Sequence, residues 1–155
     1  MVSFMNKNLS RLVKDVLKEN QKSLKESGKK FEFNVRGLDY MNNDPSAVKI
    51  LYGKVNDKTG LIQKLCDRIN VAANETGLNG ELRPNVKLHM TVMNTRYVPY
   101  NLGKQFKTFD ARGILKEFKD FNFGTVQLST IELLISGTDD ESTGGYKSTH
   151  RIDVF

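Results

Sequence analysis

The apolar residues of this chain change period repeatedly, with short connections between the periodic segments, and that leaves few architectures open. Leu9, Leu12, Val13, Val16 and Leu17 recur at helical spacing, Leu24 extends the stripe, and Gly28 after Ser27 stands where a C-terminal cap belongs. Phe31, Phe33 and Val35 then alternate with polar residues, as a strand facing a core does. Asn42-Asn43-Asp44-Pro45 reads as a turn and Val48 to Val55 as a second strand, so these two strands are expected to be antiparallel neighbours. Helical spacing returns through Leu61, Ile62, Leu65, Cys66, Ile69, Ala72 and Ala73. After a loop from Gly77 to Pro84, Val86, Leu88, Met90 and Val92 form one face of a strand, and Lys87, His89, Thr91 and Met93 the other.

Tyr97 to Thr108 is irregular and polar, and Asp110 reads as the cap of a short helix with Ile114, Leu115 and Phe118 on its apolar face. Residues 123 to 136 form one long strand, or two with a bend; Thr138 to Gly145 is an acidic loop, and Tyr146 to Phe155 a closing strand. No internal repeat or interdomain linker interrupts the series. The expected class is α+β, a mainly antiparallel sheet with packed helices. Residues 1–30 are read as a basic amphipathic helix belonging to the domain, and residues 31–155 as its body.

Charge distribution narrows the function classes. The net charge is +6, yet residues 1–30 alone hold eight basic and three acidic side chains. That segment could lie along phosphates, but a lysine-rich helix face is more often simply solvated. The chain has no apolar run of ~18 residues, so no membrane helix or membrane partner is expected. Its first residues lack the basic flank and apolar core of a secretory signal. A single cysteine, Cys66, excludes an internal disulfide and points to a reducing compartment. Its place in an apolar stripe reads as a buried, inert thiol. With two histidines, His89 and His150, no metal site or other cofactor is expected.

The stretch that carries chemistry is Val86-Lys87-Leu88-His89-Met90-Thr91-Val92. Residues i and i+2 of a strand project together, so His89 and Thr91 share a face. Imidazole moves protons near neutral pH, and a neighbouring hydroxyl donates to a phosphate oxygen. As bare spacing, His-x-Thr is common. Lys87 lies on the same face and adds positive potential there, or is an ordinary exposed lysine. Arg96 fits either a bidentate phosphate contact or a loop arginine. Tyr146 fits either stacking on a base or packing in its strand. His150, in Ser148-Thr149-His150-Arg151, has no threonine two residues on and reads as an incidental strand residue.

The run from Val86 to Arg96 resembles a His-x-Thr motif of the two-histidine (2H) phosphoesterase superfamily. Three further segments, Gly37 to Pro45 leading into Val48–Val55, Phe109 to Lys116, and Phe121 to Gly124, resemble in order and spacing a branch found in a nuclear cointegrator complex. The domain with a nuclear-localisation signal of A-kinase anchoring proteins is a more distant match. The resemblance implies a fold of two lobes related by pseudo-twofold symmetry, each giving one His-x-Thr to a cleft. One histidine acts there as base and the other as acid on a 2′,3′-cyclic phosphate or RNA phosphodiester, without metal, and the threonines hold nonbridging oxygens. Carried onto this chain, His89 is the acid/base and Thr91 its phosphate-binding partner, with Lys87, Arg96 and Tyr146 as candidate substrate contacts. RNA or nucleotide phosphate, and other cointegrator-complex subunits including a helicase, are the implied partners, and the nucleus the implied location.

The chain departs from the family pattern in one respect. A second His-x-Thr belongs upstream of the first helix, and neither it nor the RNA-binding KH module of the resembled branch is present. This chain is therefore expected to hold the C-terminal part of the two-lobed fold, an incomplete domain with half of the site. Exposed sheet edges, low stability or self-association are expected with it. The alternatives are a non-catalytic interaction module, a fragment without activity of its own, or a nucleic-acid binder that works through its first helix.

Overall fold

The computed structural model describes residues 10–19, 21–22, 31–75, 77, 85–97, 107–135, 137–138 and 140–154. Leu9, Leu24 and Gly28 lie outside the described residues, as do 78–84 and 98–106. Contacts divide the chain into two compact units with interleaved sequence: 1–32, 59–86 and 127–155 in the first, 33–58 and 87–126 in the second.

In the first unit, α1 (residues 10–19) buries Val13, Val16 and Leu17, the stripe its helical spacing dictates, and exposes Lys14 and Lys18. Helix α2 (Leu61–Glu75) buries Ile62 and Leu65, while Cys66 is half-buried, less enclosed than its place in the stripe suggests. Strands β5 (Thr130–Leu134) and β6 (Ser148–Asp153) pair antiparallel. The turn between them is closed by Asp140, whose carboxylate accepts from the Ser142 amide at 2.9 Å and hydroxyl at 2.6 Å. These contacts hold the Asp140 carboxyl below its ordinary range. The last described residues are tied down by Val154 N–H to the Ser129 carbonyl at 2.9 Å and by Gln21 Nε2 to the Val154 carbonyl at 2.6 Å.

Asp67 of α2 has a separate task in this unit. Its carboxylate accepts from the Val86 amide at 2.8 Å, and Gln63 Nε2 donates to the Val86 carbonyl at 2.9 Å and to Asp67 at 3.0 and 3.1 Å. Two side chains one helical turn apart thus satisfy both backbone polar groups of a residue that lies outside any strand ladder.

The second unit is a four-stranded sheet ordered β3-β2-β1-β4, with β1 Glu32–Tyr40, β2 Ile50–Asn56, β3 His89–Asn94 and β4 Asn122–Gln127. The β1–β2 and β2–β3 pairs are antiparallel. The register of β1 shifts between Val35 and Leu38. Gly37 sits in that bulge at φ +71°, where its N–H donates to the Phe121 carbonyl at 2.8 Å and any Cβ would collide with the Lys119 backbone. Leu38, Val48, Leu51 and Ala111 form the core of the unit, and Ile114 and Leu115 of α3 (Arg112–Glu117), with Phe118 at its C-cap, pack on it as their spacing predicts. Residues 123–136 resolve into two strands, β4 and β5.

The cap of α3 differs from expectation. Ala111 occupies the N-cap, and Asp110 instead accepts from the Arg112 amide at 3.0 Å and from its guanidinium at 2.6 to 3.1 Å. That pairing lowers the Asp110 carboxyl to about 2. A carboxyl depressed by folding stabilises the fold above its unfolded value, and the contribution is lost as pH falls through the folded one. Arg112→Gln is expected to raise the Asp110 midpoint toward ~3.9 in a carboxyl NMR titration.

Removing the acceptor in Asp67→Ala leaves the Val86 N–H unpaired. Chemical denaturation is expected to show a loss of about 1–3 kcal/mol, and a smaller loss for Asp67→Asn, which keeps an oxygen for that amide.

Candidate functional site

Strand β3 is an edge of the sheet, and its register with β2 sets out the site. Lys54 pairs with His89, Gly53 with Met90 and Tyr52 with Thr91, while on the other side Tyr52 pairs with Asp39 of β1. Directly opposed residues share a face, so Asp39, Tyr52 and Thr91 form one row across three strands, with His89 next to it.

Tyr52 is the centre of this face. It is 2% exposed, yet its hydroxyl donates to Asp39 Oδ2 at 2.8 Å, and Asp39 Oδ1 is held by the Tyr40 amide at 2.9 Å. The Lys87 ammonium lies 4.7 Å from the centre of the Tyr52 ring, and the His89 ring meets it edge-on, with centroids 5.6 Å apart. Burial pushes the Tyr52 phenol above its ordinary value, and contact with Tyr52 raises the Lys87 ammonium above its own.

His89 Nδ1 lies 2.8 Å from the Lys87 carbonyl. A carbonyl only accepts, so this hydrogen bond requires a proton on Nδ1. In the neutral ring Nε2 is then the basic nitrogen, the one able to take a proton from a bound group. His89 and Thr91 are both solvent-exposed.

The other sequence-predicted residues fall as follows. Lys87, His89 and Thr91 come together on one stretch of chain. Arg96 lies one turn on, exposed, in a 3₁₀ helix over Thr95–Tyr97; its amide is bonded to Asn94 Oδ1 at 3.0 Å. Tyr146 belongs to the first unit, half-buried between the Asp140 turn and β6. His150 also belongs to the first unit; its Nδ1 is buried without a hydrogen-bond partner among the described residues. Among the described residues no three His, Cys, Asp or Glu side chains cluster as a metal site would require. The sequence reading missed Asp39 and Tyr52. The alternation in Ile50–Asn56 places Tyr52 and Lys54 on one face, but nothing local in it points to His89.

Strand β3 begins at His89 rather than at Val86, and His89 to Met93 are all exposed, so the expected covered apolar face is not found within the strand. Val86 and Leu88 are half-buried, whereas Met90 and Val92 are 38% and 49% exposed. Alternation reports which face a residue occupies, not what covers that face.

Residues 1–154 match the family described as the AKAP7 2′5′ RNA ligase-like domain. The chain is also 37% identical, over 143 aligned residues and 81% of its length, to mouse activating signal cointegrator 1 complex subunit 1. It spans 40% of the length of that relative. The chain belongs to the 2H phosphoesterase superfamily, in its AKAP7 2′5′ RNA ligase-like branch, and the mixed helix-and-sheet architecture is consistent with that α+β fold.

Gly53 lies between Tyr52 and Lys54, and a Cβ there would meet Val35 Cγ1 at 2.6 Å and Met90 Cε at 3.3 Å. Gly53→Ala is expected to cost about 1–3 kcal/mol in thermal or chemical unfolding through overpacking. Amide shifts in a folded variant should concentrate on Val35 and on Met90 to Thr91.

Proposed function

We propose that the face of β3 is a phosphate-binding half-site for RNA or a cyclic nucleotide. His89 Nε2 serves there as the proton-transfer group, and Thr91 and Lys87 hold nonbridging oxygens. The observation that carries this reading is the convergence of Lys87 and His89 on one buried tyrosine, opposite Thr91, at an exposed strand. An ammonium, a hydroxyl and a basic imidazole nitrogen on one open face fit an anionic oxygen cluster better than an apolar ligand. Arg96, in the following turn, is a further phosphate contact on this reading.

General acid–base catalysis of phosphodiester transfer in this superfamily uses two imidazoles, each worth about 10²–10⁴ in rate. One imidazole on β3 supplies one of those transfers. The isolated chain is therefore expected to bind a cyclic nucleotide and turn it over slowly at best, with metal-independent phosphodiesterase activity when an upstream His-x-Thr is supplied. Similarity to a cointegrator-complex subunit supports a nuclear role inside that assembly, with its other subunits, including a helicase, as partners. The same similarity, together with the exposed Met90 and Val92 of β3, supports a second reading, a non-catalytic interaction module. Retention of a helicase subunit in a pull-down tests it, and no association would weaken it.

An NMR titration with a 2′,3′-cyclic nucleotide tests the leading reading. Shifts are expected to cluster on Leu88 to Asn94 and the His89 ring, and His89→Ala should abolish them. A well-dispersed spectrum that does not respond, or undiminished binding by His89→Ala, would overturn it.

A further inference from the structure

We propose that Tyr52, held by Asp39, is the positioning residue of the β3 site: a single buried phenol fixes both the Lys87 cation and the His89 ring on the face that carries Thr91. The inference rests on the phosphate-site reading for its functional meaning, but its geometry stands independently.

A lysine side chain has a flexible four-carbon stem, and its ammonium ordinarily samples a wide volume. Here Nζ is placed 4.7 Å from the Tyr52 ring centre, where the negative face of the ring attracts it. Donation of the phenol proton toward Asp39 Oδ2 at 2.8 Å leaves the ring more electron-rich, which strengthens that attraction. The His89 ring is fixed at two points: Nδ1 on the Lys87 carbonyl at 2.8 Å and its plane at 72° to the Tyr52 ring. Together they fix the orientation of the ring and leave Nε2 outside both contacts. Tyr52 itself cannot drift, because it is 2% exposed and its hydroxyl is bonded across to β1.

The arrangement differs from ordinary packing of a buried tyrosine in one respect. A packing role requires the ring alone. Holding Lys87 there also draws on the hydroxyl and the Asp39 charge, since contact with the Tyr52 side chain and the field of Asp39 both raise the Lys87 ammonium. Those two features are separable by substitution.

The test uses the full 155-residue chain, with 2′,3′-cyclic AMP as probe and the variants Tyr52→Phe, Asp39→Asn, Lys87→Met and Tyr52→Phe/Lys87→Met. Tyr52→Phe keeps the ring and its packing. It is expected to move the Lys87 titration down toward the ordinary lysine value, to shift the His89 ring nitrogen resonances, and to weaken cyclic-nucleotide binding about two- to fivefold. In the double variant the two effects should not add, because they act through one contact. Asp39→Asn should move the Lys87 titration in the same direction, and it decides the matter if Tyr52→Phe fails to fold. Unchanged Lys87 and His89 signals in a folded variant, or additive losses in the double variant, would overturn the proposal. If the wild-type chain binds no cyclic nucleotide, the phosphate-site reading fails, while the Lys87 and His89 signals still decide whether Tyr52 positions them.

Discussion

A buried phenol hydroxyl must find a partner, and in the sheet unit that requirement falls on Tyr52. Leaving it unpaired would cost on the order of 1–3 kcal/mol, so its hydrogen bond to Asp39 constrains how β1 and β2 can align. A slip by one residue would turn Tyr52 to the opposite face and put Gly53 in its place. The β2–β3 register then follows from the same strand, because Gly53 leaves room for Met90 and Val35 to approach from the two flanking strands. Lys87, His89 and Thr91 have their positions because β2 has Tyr52 where it does.

Much of the framework was legible locally. The stripe Val13, Val16, Leu17 and the stripe Ile62, Leu65 are helical periods, and helices with those buried faces occur there. That His89 and Thr91 share a face was legible because a strand places i and i+2 together, a rule that needs no tertiary information. The cap of α3 misled because Asp110 and Ala111 are adjacent and a carboxylate also bonds the amide of Arg112, two residues on. What stayed hidden depends on pairs far apart in sequence. Asp67 reaches Val86 across 19 residues and Tyr52 reaches Asp39 across 13, and neither pairing leaves a periodic trace. The bulge at Gly37 was equally invisible, since a glycine marks permission for a positive φ without saying whether it is used.

The proposed chemistry divides along the same line between local and distant. Binding an anion requires charge and donors on one face, and a short stretch of β3 supplies them with help from β2. Moving two protons during one phosphoryl transfer requires a base and an acid on opposite sides of the reacting atom, a placement that one short stretch of strand does not supply. On the proposed reading, then, the part of the function set by local sequence is recognition, and turnover depends on what faces β3.

That division also bears on the exposed apolar residues of β3. Met90 and Val92 project from the side opposite His89 and Thr91, so whatever covers them need not occlude the face proposed to bind phosphate. Covering Met90 would remove apolar surface from water and at the same time hold the β2–β3 pair closed at Gly53, the ladder partner of Met90. Tyr52 lies one residue from Gly53, and its ring is what Lys87 and His89 share. On the two proposed readings, contact on the apolar side of β3 would stiffen the polar side through β2 and so link partner binding to phosphate recognition. The two readings of this chain, phosphate site and interaction module, are compatible uses of the opposite faces of one strand.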